Sequence, residues 1–141
     1  MSHLLDTCLV SEMVKVEPHP GVMQWLAEQD EDGLFLSLLS IAELEKAVAK
    51  LAALRRKTRW GDWMRKDLVR RFEGRLLGID LAVVQTWGAL VGASERRGLV
   101  LPVMDSLIAA TAITHQLRVV SRNVADFKRC GVECVNPWGA A

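Results

Sequence analysis

Apolar positions along this chain follow two rhythms: short unbroken runs, and longer stretches in which they recur every three or four residues. His3-Leu4-Leu5 is a short apolar run, and Asp6-Thr7 reads as a strand end passing into a helix start. A short helix over Val10 to Val14 follows, with Ser11 and Glu12 facing outward. Pro18, Pro20 and Gly21 break it. Val22, Trp25 and Leu26 predict a second helix, ended by the acidic stretch 28–32 and Gly33. Leu34 to Leu38 reads as a buried strand. Ser40-Ile41-Ala42-Glu43 fits a capping box, and the helix it opens puts Leu44, Val48 and Leu51 on one face. A basic helix is expected from about Arg59 to Leu76, with Trp63, Leu68, Phe72 and Leu76 as its apolar stripe and Gly78-Ile79-Asp80 as a short link. Leu81 to Arg97 is a long amphipathic helix capped by Asp80 and stopped by Gly98. Pro102 to His115 is the next helix, with Ala109, Ala110 and Ala112 allowing close packing. Arg118 to Ser121 is a strand, a short helix holds Asp126 and Phe127, and Val132 to Val135 is the last strand. Strands alternating with helices predict an α/β domain over residues 1–141 with a mostly parallel central sheet.

Composition narrows the class. Half of the residues are apolar, which excludes disorder and supplies a core. No apolar run reaches the roughly 18 residues of a membrane span. Asp6 falls where a secretion signal would be apolar, so a cytoplasmic protein is expected. Cys8, Cys130 and Cys134 are odd in number and are expected as free thiols rather than zinc ligands. The net charge of +1 conceals an asymmetry. Nine basic residues between Arg55 and Arg75 face only Asp62, Asp67 and Glu73, a local +6 that leaves −5 elsewhere. Arg55, Arg56, Lys57 and Arg59 open that stretch, with Trp60 and Trp63 interleaved. The pattern fits either polyanion binding or a solvated helix face.

The acidic residues carry the chemistry. Asp105 stands alone between Val100-Leu101-Pro102-Val103-Met104 and Leu107-Ile108-Ala109-Ala110, where an ionised carboxylate is costly without a partner. It could cap its helix, with Ser106 as the first helical residue. Asp6 could likewise be a cap, Glu43 could be spent on Ser40, and Asp126 could be a surface carboxylate. These local roles do not explain why Asp6, Glu43, Asp105, Asn123 and Asp126 all fall where strands end and helices begin, the edge of a parallel sheet where ligands bind. Two carboxylates 4 Å apart repel by ~4 kcal/mol at an effective dielectric near 20. A hard divalent ion removes that cost, and Mg2+ suits a few carboxylates plus waters. Such an ion beside a basic surface points to phosphodiester hydrolysis.

Five stretches in order resemble PIN-domain ribonucleases, specifically VapC-type toxins of the FitB-like branch. They are Leu4-Leu5-Asp6-Thr7, Ser40-Ile41-Ala42-Glu43-Leu44, residues 101–112, Ser121-Arg122-Asn123-Val124-Ala125-Asp126-Phe127 and Val135-Asn136-Pro137-Trp138. The resemblance implies a three-layer α/β/α PIN fold and Mg2+- or Mn2+-dependent endonuclease cleavage of RNA. It matches Asp6, Glu43 and Asp105 to the acidic metal positions and Thr7 and Ser106 to small hydroxyl residues beside them. Asn123 stands at a fourth acidic position, where it can orient a water but brings no charge, with Asp126 placed to compensate. The resemblance also implies a homodimer and a cognate VapB-like antitoxin. Helix faces near Leu44–Leu54 and Trp60–Phe72 are candidate contacts for that partner. Cys8 departs from the pattern, which has asparagine after Asp-Thr, and a thiol is the poorer hydrogen-bonding group. Lower activity is expected. A PIN fold that binds RNA or a partner without cutting is the alternative. A signalling receiver domain is excluded by the lone Asp6, by Ser37–Ser40 where a phosphoacceptor would stand, and by Ser121-Arg122 where a lysine would.

Overall fold

The computed structural model describes residues 2–139. The chain runs β1 (His3–Leu5), α1 (Thr7–Met13), α2 (Pro20–Glu28), β2 (Leu34–Ser37), α3 (Leu38–Ala49), α4 (Leu54–Asp62), a π-helical stretch (Trp63–Leu68), α5 (Val69–Arg71), β3 (Leu76–Leu77), α6 (Leu81–Arg96), α7 (Val103–His115), β4 (Arg118–Val120), α8 (Val124–Arg129) and β5 (Cys134–Val135). The five strands form one sheet in the order β3-β2-β1-β4-β5, and every neighbouring pair is parallel. Strands buried on both faces need no polar alternation, which is why these segments read as continuous apolar runs.

Helices cover both faces, so the fold is a three-layer α/β/α arrangement. Alternation along the strands divides the core in two. Leu5, Leu36 and Val120 pack with Leu9, Val10, Val22, Met64, Leu68 and Phe72 on one side. Leu4 and Val119 pack with Ile108, Ala109, Ala112, Leu117 and Phe127 on the other. Phe72 and Phe127 are fully buried, each worth on the order of 1.5–3 kcal/mol of apolar transfer.

Several boundaries differ from the sequence reading. The basic helix starts earlier and ends earlier than expected, running through α4, the π-helical stretch and α5 before Gly74 turns the chain at φ 81°. β3 therefore takes Leu76 and Leu77 rather than residues of the 78–80 link, since Leu36 and Ser37 of β2 supply its partners. Ser40 is not an N-cap. α3 begins at Leu38, and Ser37 caps it by accepting from the Leu39 N–H at 3.0 Å. Pro102 is itself the N-cap of α7, and Asp105 sits in the first turn rather than capping it. Asp80 caps α6 through Val83 N at 3.0 Å, and Gly98 (φ 77°) ends it, as the pattern predicts. Val132 and Glu133 lie outside β5.

Glu12 departs most from expectation. Rather than facing solvent, it is 3 % exposed. Its carboxylate accepts from Trp138 Nε1 at 2.9 Å, Lys15 Nζ at 3.0 Å and the His19 N–H at 3.1 Å. Arg122 lies 3.7 Å away with its guanidinium 4.7 Å over the Trp138 ring. The closing Asn-Pro-Trp segment is thus tied to α1. Gly21 is part of the same closure, since a Cβ there would come within 2.7 Å of the Pro137 carbonyl oxygen.

Candidate metal centre

Strand register builds the site. Leu5 of β1 lies opposite Leu36 of β2 and Val120 of β4, so the next residues, Asp6, Ser37 and Ser121, share one level at the carboxyl edge of the sheet. Asp6 caps α1: its Oδ1 accepts from Thr7 N at 2.8 Å, and its Oδ2 accepts from Ser121 Oγ at 2.7 Å. Asp6 is 4 % exposed and has no basic partner. Capping and site-building are therefore one role here, not alternatives.

Thr7 bridges to α3. Its hydroxyl donates to Glu43 Oε1 at 2.6 Å and lies 3.0 Å from Ser40 Oγ. Glu43 is thus drawn toward α1 instead of closing a capping box. Asp105 enters from the first turn of α7, where the helix dipole favours a negative charge. Even so, its carboxyl is pushed up from 3.8 to about 6, first by burial and then by the charges of Asp6, Asp126 and Glu43, with a hydrogen bond donated to Asp126 adding to the effect. Asp6, Glu43 and Asp126 are therefore near enough for their charges to act on Asp105. Among the described residues Asp126 is the one of the four with a cation, Arg129 at 3.1 Å.

Other candidates sit differently. Ser106 is buried and its hydroxyl is spent away from the acids, donating to Val103 O and accepting from Trp87 Nε1, both at 2.9 Å. The expected support from Ser106 at the metal is corrected to a helix–helix lock between α6 and α7. Asn123 is exposed at the N-cap of α8 with no capping bond from its side chain. Its backbone N–H donates to Ser121 Oγ at 2.9 Å, so that hydroxyl links Asn123 to Asp6. The Cys8 sulfur is 3.5 Å from both Asp6 Oδ2 and Ser121 Oγ. Burial pushes its thiol up, and the Asp6 charge adds to that, so it stays a weak neutral donor. Cys8, Cys130 and Cys134 are unpaired.

Arg55, Arg56 and Arg59 are exposed on α4, and Lys57 is half-buried beside Lys46. The rest of the basic run is partly neutralised: Arg65 pairs with Glu45 at 3.0 Å, and Arg71 and Arg75 both reach Glu31. Trp60 and Trp63, 6.2 Å apart and edge to face, line an apolar groove with Val14, Leu44, Val48, Leu51 and Met64 rather than offering free stacking faces. Glu12 and Lys46 were the residues the pattern missed; the one sequence signal for Glu12 was the closing tryptophan that needs an acceptor.

The donor set is all hard oxygen, the type Mg2+ and Mn2+ select. Among the described residues no three His, Cys, Asp or Glu side chains stand close enough to form a finished ligand group. Mg2+ retains several waters and takes few direct carboxylate ligands, so the donor chemistry, though not a finished ligand shell, suits such an ion.

Comparison with known proteins places this arrangement. The PIN domain profile matches residues 3–132. A VapC ribonuclease of Sinorhizobium fredii is 32% identical over 138 residues, covering 98% of this chain and 99% of its own. The toxin FitB of Neisseria gonorrhoeae is 30% identical, covering 96% and 97%. The crystal structure of FitAcB from Neisseria gonorrhoeae superposes with a TM-score of 0.91 at 30% identity, over 98% of this chain and 99% of that one.

Proposed function

The chain belongs to the PIN-domain family, and from that premise we propose that it is a divalent-metal-dependent endoribonuclease, the toxin of a toxin–antitoxin pair. The observation that carries this reading is the gathering of acids at the carboxyl edge of the sheet, where Thr7 and Ser121 tie Asp6 and Glu43 in place and no basic partner reaches Asp6, Glu43 or Asp105 among the described residues. Carboxylates gathered without cations are a cost unless an ion is bound during function.

Asp6, Glu43 and Asp105 would hold Mg2+ or Mn2+, with Asp126 beside them. When bound, the ion supplies an activated water and neutralises charge on the phosphorane. The chain's own contribution is positioning. Thr7 aims Glu43, Ser121 and the Thr7 N–H hold both oxygens of Asp6, and Asn123 is held over the same hydroxyl. Burial and the neighbouring acids push the Asp105 carboxyl up to about 6, and a divalent ion held there would favour its ionised form. Cys8 in place of a stronger donor makes a slower enzyme than one with a carboxamide there.

The relatives' names support the partner. The similar solved structure is a FitAcB complex, and the apolar groove of Val14, Leu44, Leu51, Trp60 and Trp63 suits a helix of a VapB-like antitoxin. A homodimer is supported by Leu81, Val84, Val100, Val103 and Ile113, which α6, α7 and the loop between them leave exposed. No helix among the described residues is long and apolar enough to cross a membrane, and the three unpaired thiols suit the reducing cytoplasm. The test is cleavage of total RNA by the purified chain in Mg2+ and in EDTA, beside Asp6→Asn and Asp105→Asn. Cleavage by the parent chain in Mg2+ alone is expected. Equal cleavage in every sample overturns the reading.

A further inference from the structure

A polyanion approaching four carboxylates is repelled unless cations meet it at the rim, and most basic side chains near this centre are already engaged. Arg129 pairs with Asp126, Arg65 with Glu45, and Arg122 lies over Trp138 beside Glu12. Lys46 and Lys50 are not engaged in this way: both are exposed and make no ion pair among the described residues. Both line a groove of about 410 Å3 with Ala42, Glu43, Ala47 and Met104. Glu43 is the centre's ligand candidate on α3, and Met104 immediately precedes Asp105 on α7. The groove therefore opens directly from the acidic centre.

Glu43, Lys46 and Lys50 recur at helical spacing on one face of α3 and its C-cap. At 1.5 Å per residue the two lysines are about 6 Å apart along the axis, with Lys46 about 4.5 Å from Glu43. That is a ladder on the scale of successive phosphates in an extended strand. Lys46 also borders a second groove with Lys57, Thr58 and Asp62, where Arg65 is held by Glu45.

We propose that Lys46 and Lys50 form a phosphate rail that seats the single-stranded RNA flanking the scissile bond, running along α3 away from Glu43. The proposal rests on the nuclease reading above and deepens it. The ammonium groups act as point charges on backbone phosphates and read no sequence. The lysines touch phosphates remote from the reacting atoms, so they contribute to binding and not to the chemical step.

The experiment uses the full chain and a short fluorescein-labelled single-stranded RNA of random sequence. Kinetics are measured for the parent chain, Lys46→Ala/Lys50→Ala, Lys46→Arg/Lys50→Arg and, as a control, Arg96→Ala. Fluorescence anisotropy in an Asp105→Asn background reads binding without cleavage. The double alanine variant is expected to raise KM and Kd about tenfold with kcat unchanged, and to flatten the salt slope of log K by about 1.4, two single-strand phosphates' worth. The double arginine variant is expected to restore both, and Arg96→Ala to change neither. Unchanged KM and salt slope in the double alanine variant overturn the rail while leaving the nuclease standing, as does a fall in kcat with KM unmoved. Absence of RNA binding and cleavage by the parent chain overturns the nuclease and the rail together.

Discussion

Two carboxylate environments, that of Glu12 on α1 and that of Asp105 on α7, shift their groups in opposite directions. Glu12 is enclosed by donors, and its carboxyl is lowered to about 2, first by the Trp138 indole N–H, with Lys15 and the His19 N–H adding to it. Asp105 is half-buried near other acids, and its carboxyl is raised to about 6. Glu12 is satisfied by the fold alone. Asp105 has no cation among the described residues. An acid with a complete set of donors reads as structural; an acid raised by burial and like charges is a candidate for a functional site.

The largest expected effect breaks the Asp105 side. Asp105→Asn should lower RNA cleavage at least about a hundredfold, since several kcal/mol of metal-borne stabilisation go with it, yet leave Tm in EDTA equal or higher because a repelled charge is removed. Gel assays and thermal scans read the two together. A fall in both would make Asp105 structural and end the contrast. Breaking the other side should do the opposite: Glu12→Ala leaves the Trp138, Lys15 and His19 donors without their acceptor, so Tm should drop clearly while the still-folded fraction cleaves normally at low temperature. An unchanged Tm would show that the closing segment is held by packing alone.

The pH dependence sharpens the comparison. Ion-free, the folded chain keeps the Asp105 proton to about pH 6 whereas the unfolded chain releases it near 3.8, so stability falls as pH rises through that window. Glu12 acts in reverse: its stabilisation is full above pH 4.5 and is lost as pH falls toward about 2. Thermal scans in EDTA should therefore show an Asp105-dependent decline in Tm between about pH 4 and pH 6 that levels off above it, an effect Mn2+ should reverse and Asp105→Asn should erase. The smallest effect concerns Cys8. Cys8→Asn supplies a stronger donor beside Asp6 Oδ2 and should raise cleavage a few-fold; no gain would mean that Ser121 and the Thr7 N–H already hold Asp6 fully.

Local pattern determined much of this protein. The strand runs, the Asp80 cap, the Gly98 stop and the alanine-rich helix were readable because each depends on neighbours within a few residues. So was the shared edge of Asp6, Glu43 and Asp105, since strand ends and helix starts fix which edge a residue joins. Tertiary structure decided the rest. Ser40 carries a capping signature, but Ser37 caps because the β2 register ends there and Thr7, 36 positions away, claims Glu43. Glu12 reads as surface, yet a tryptophan 126 positions later supplies its donor and buries it. Ser106 reads as site support, and an indole from α6 takes its hydroxyl instead. A side chain's partner is set by what the folded chain brings within about 3 Å, and that distance is invisible to periodicity.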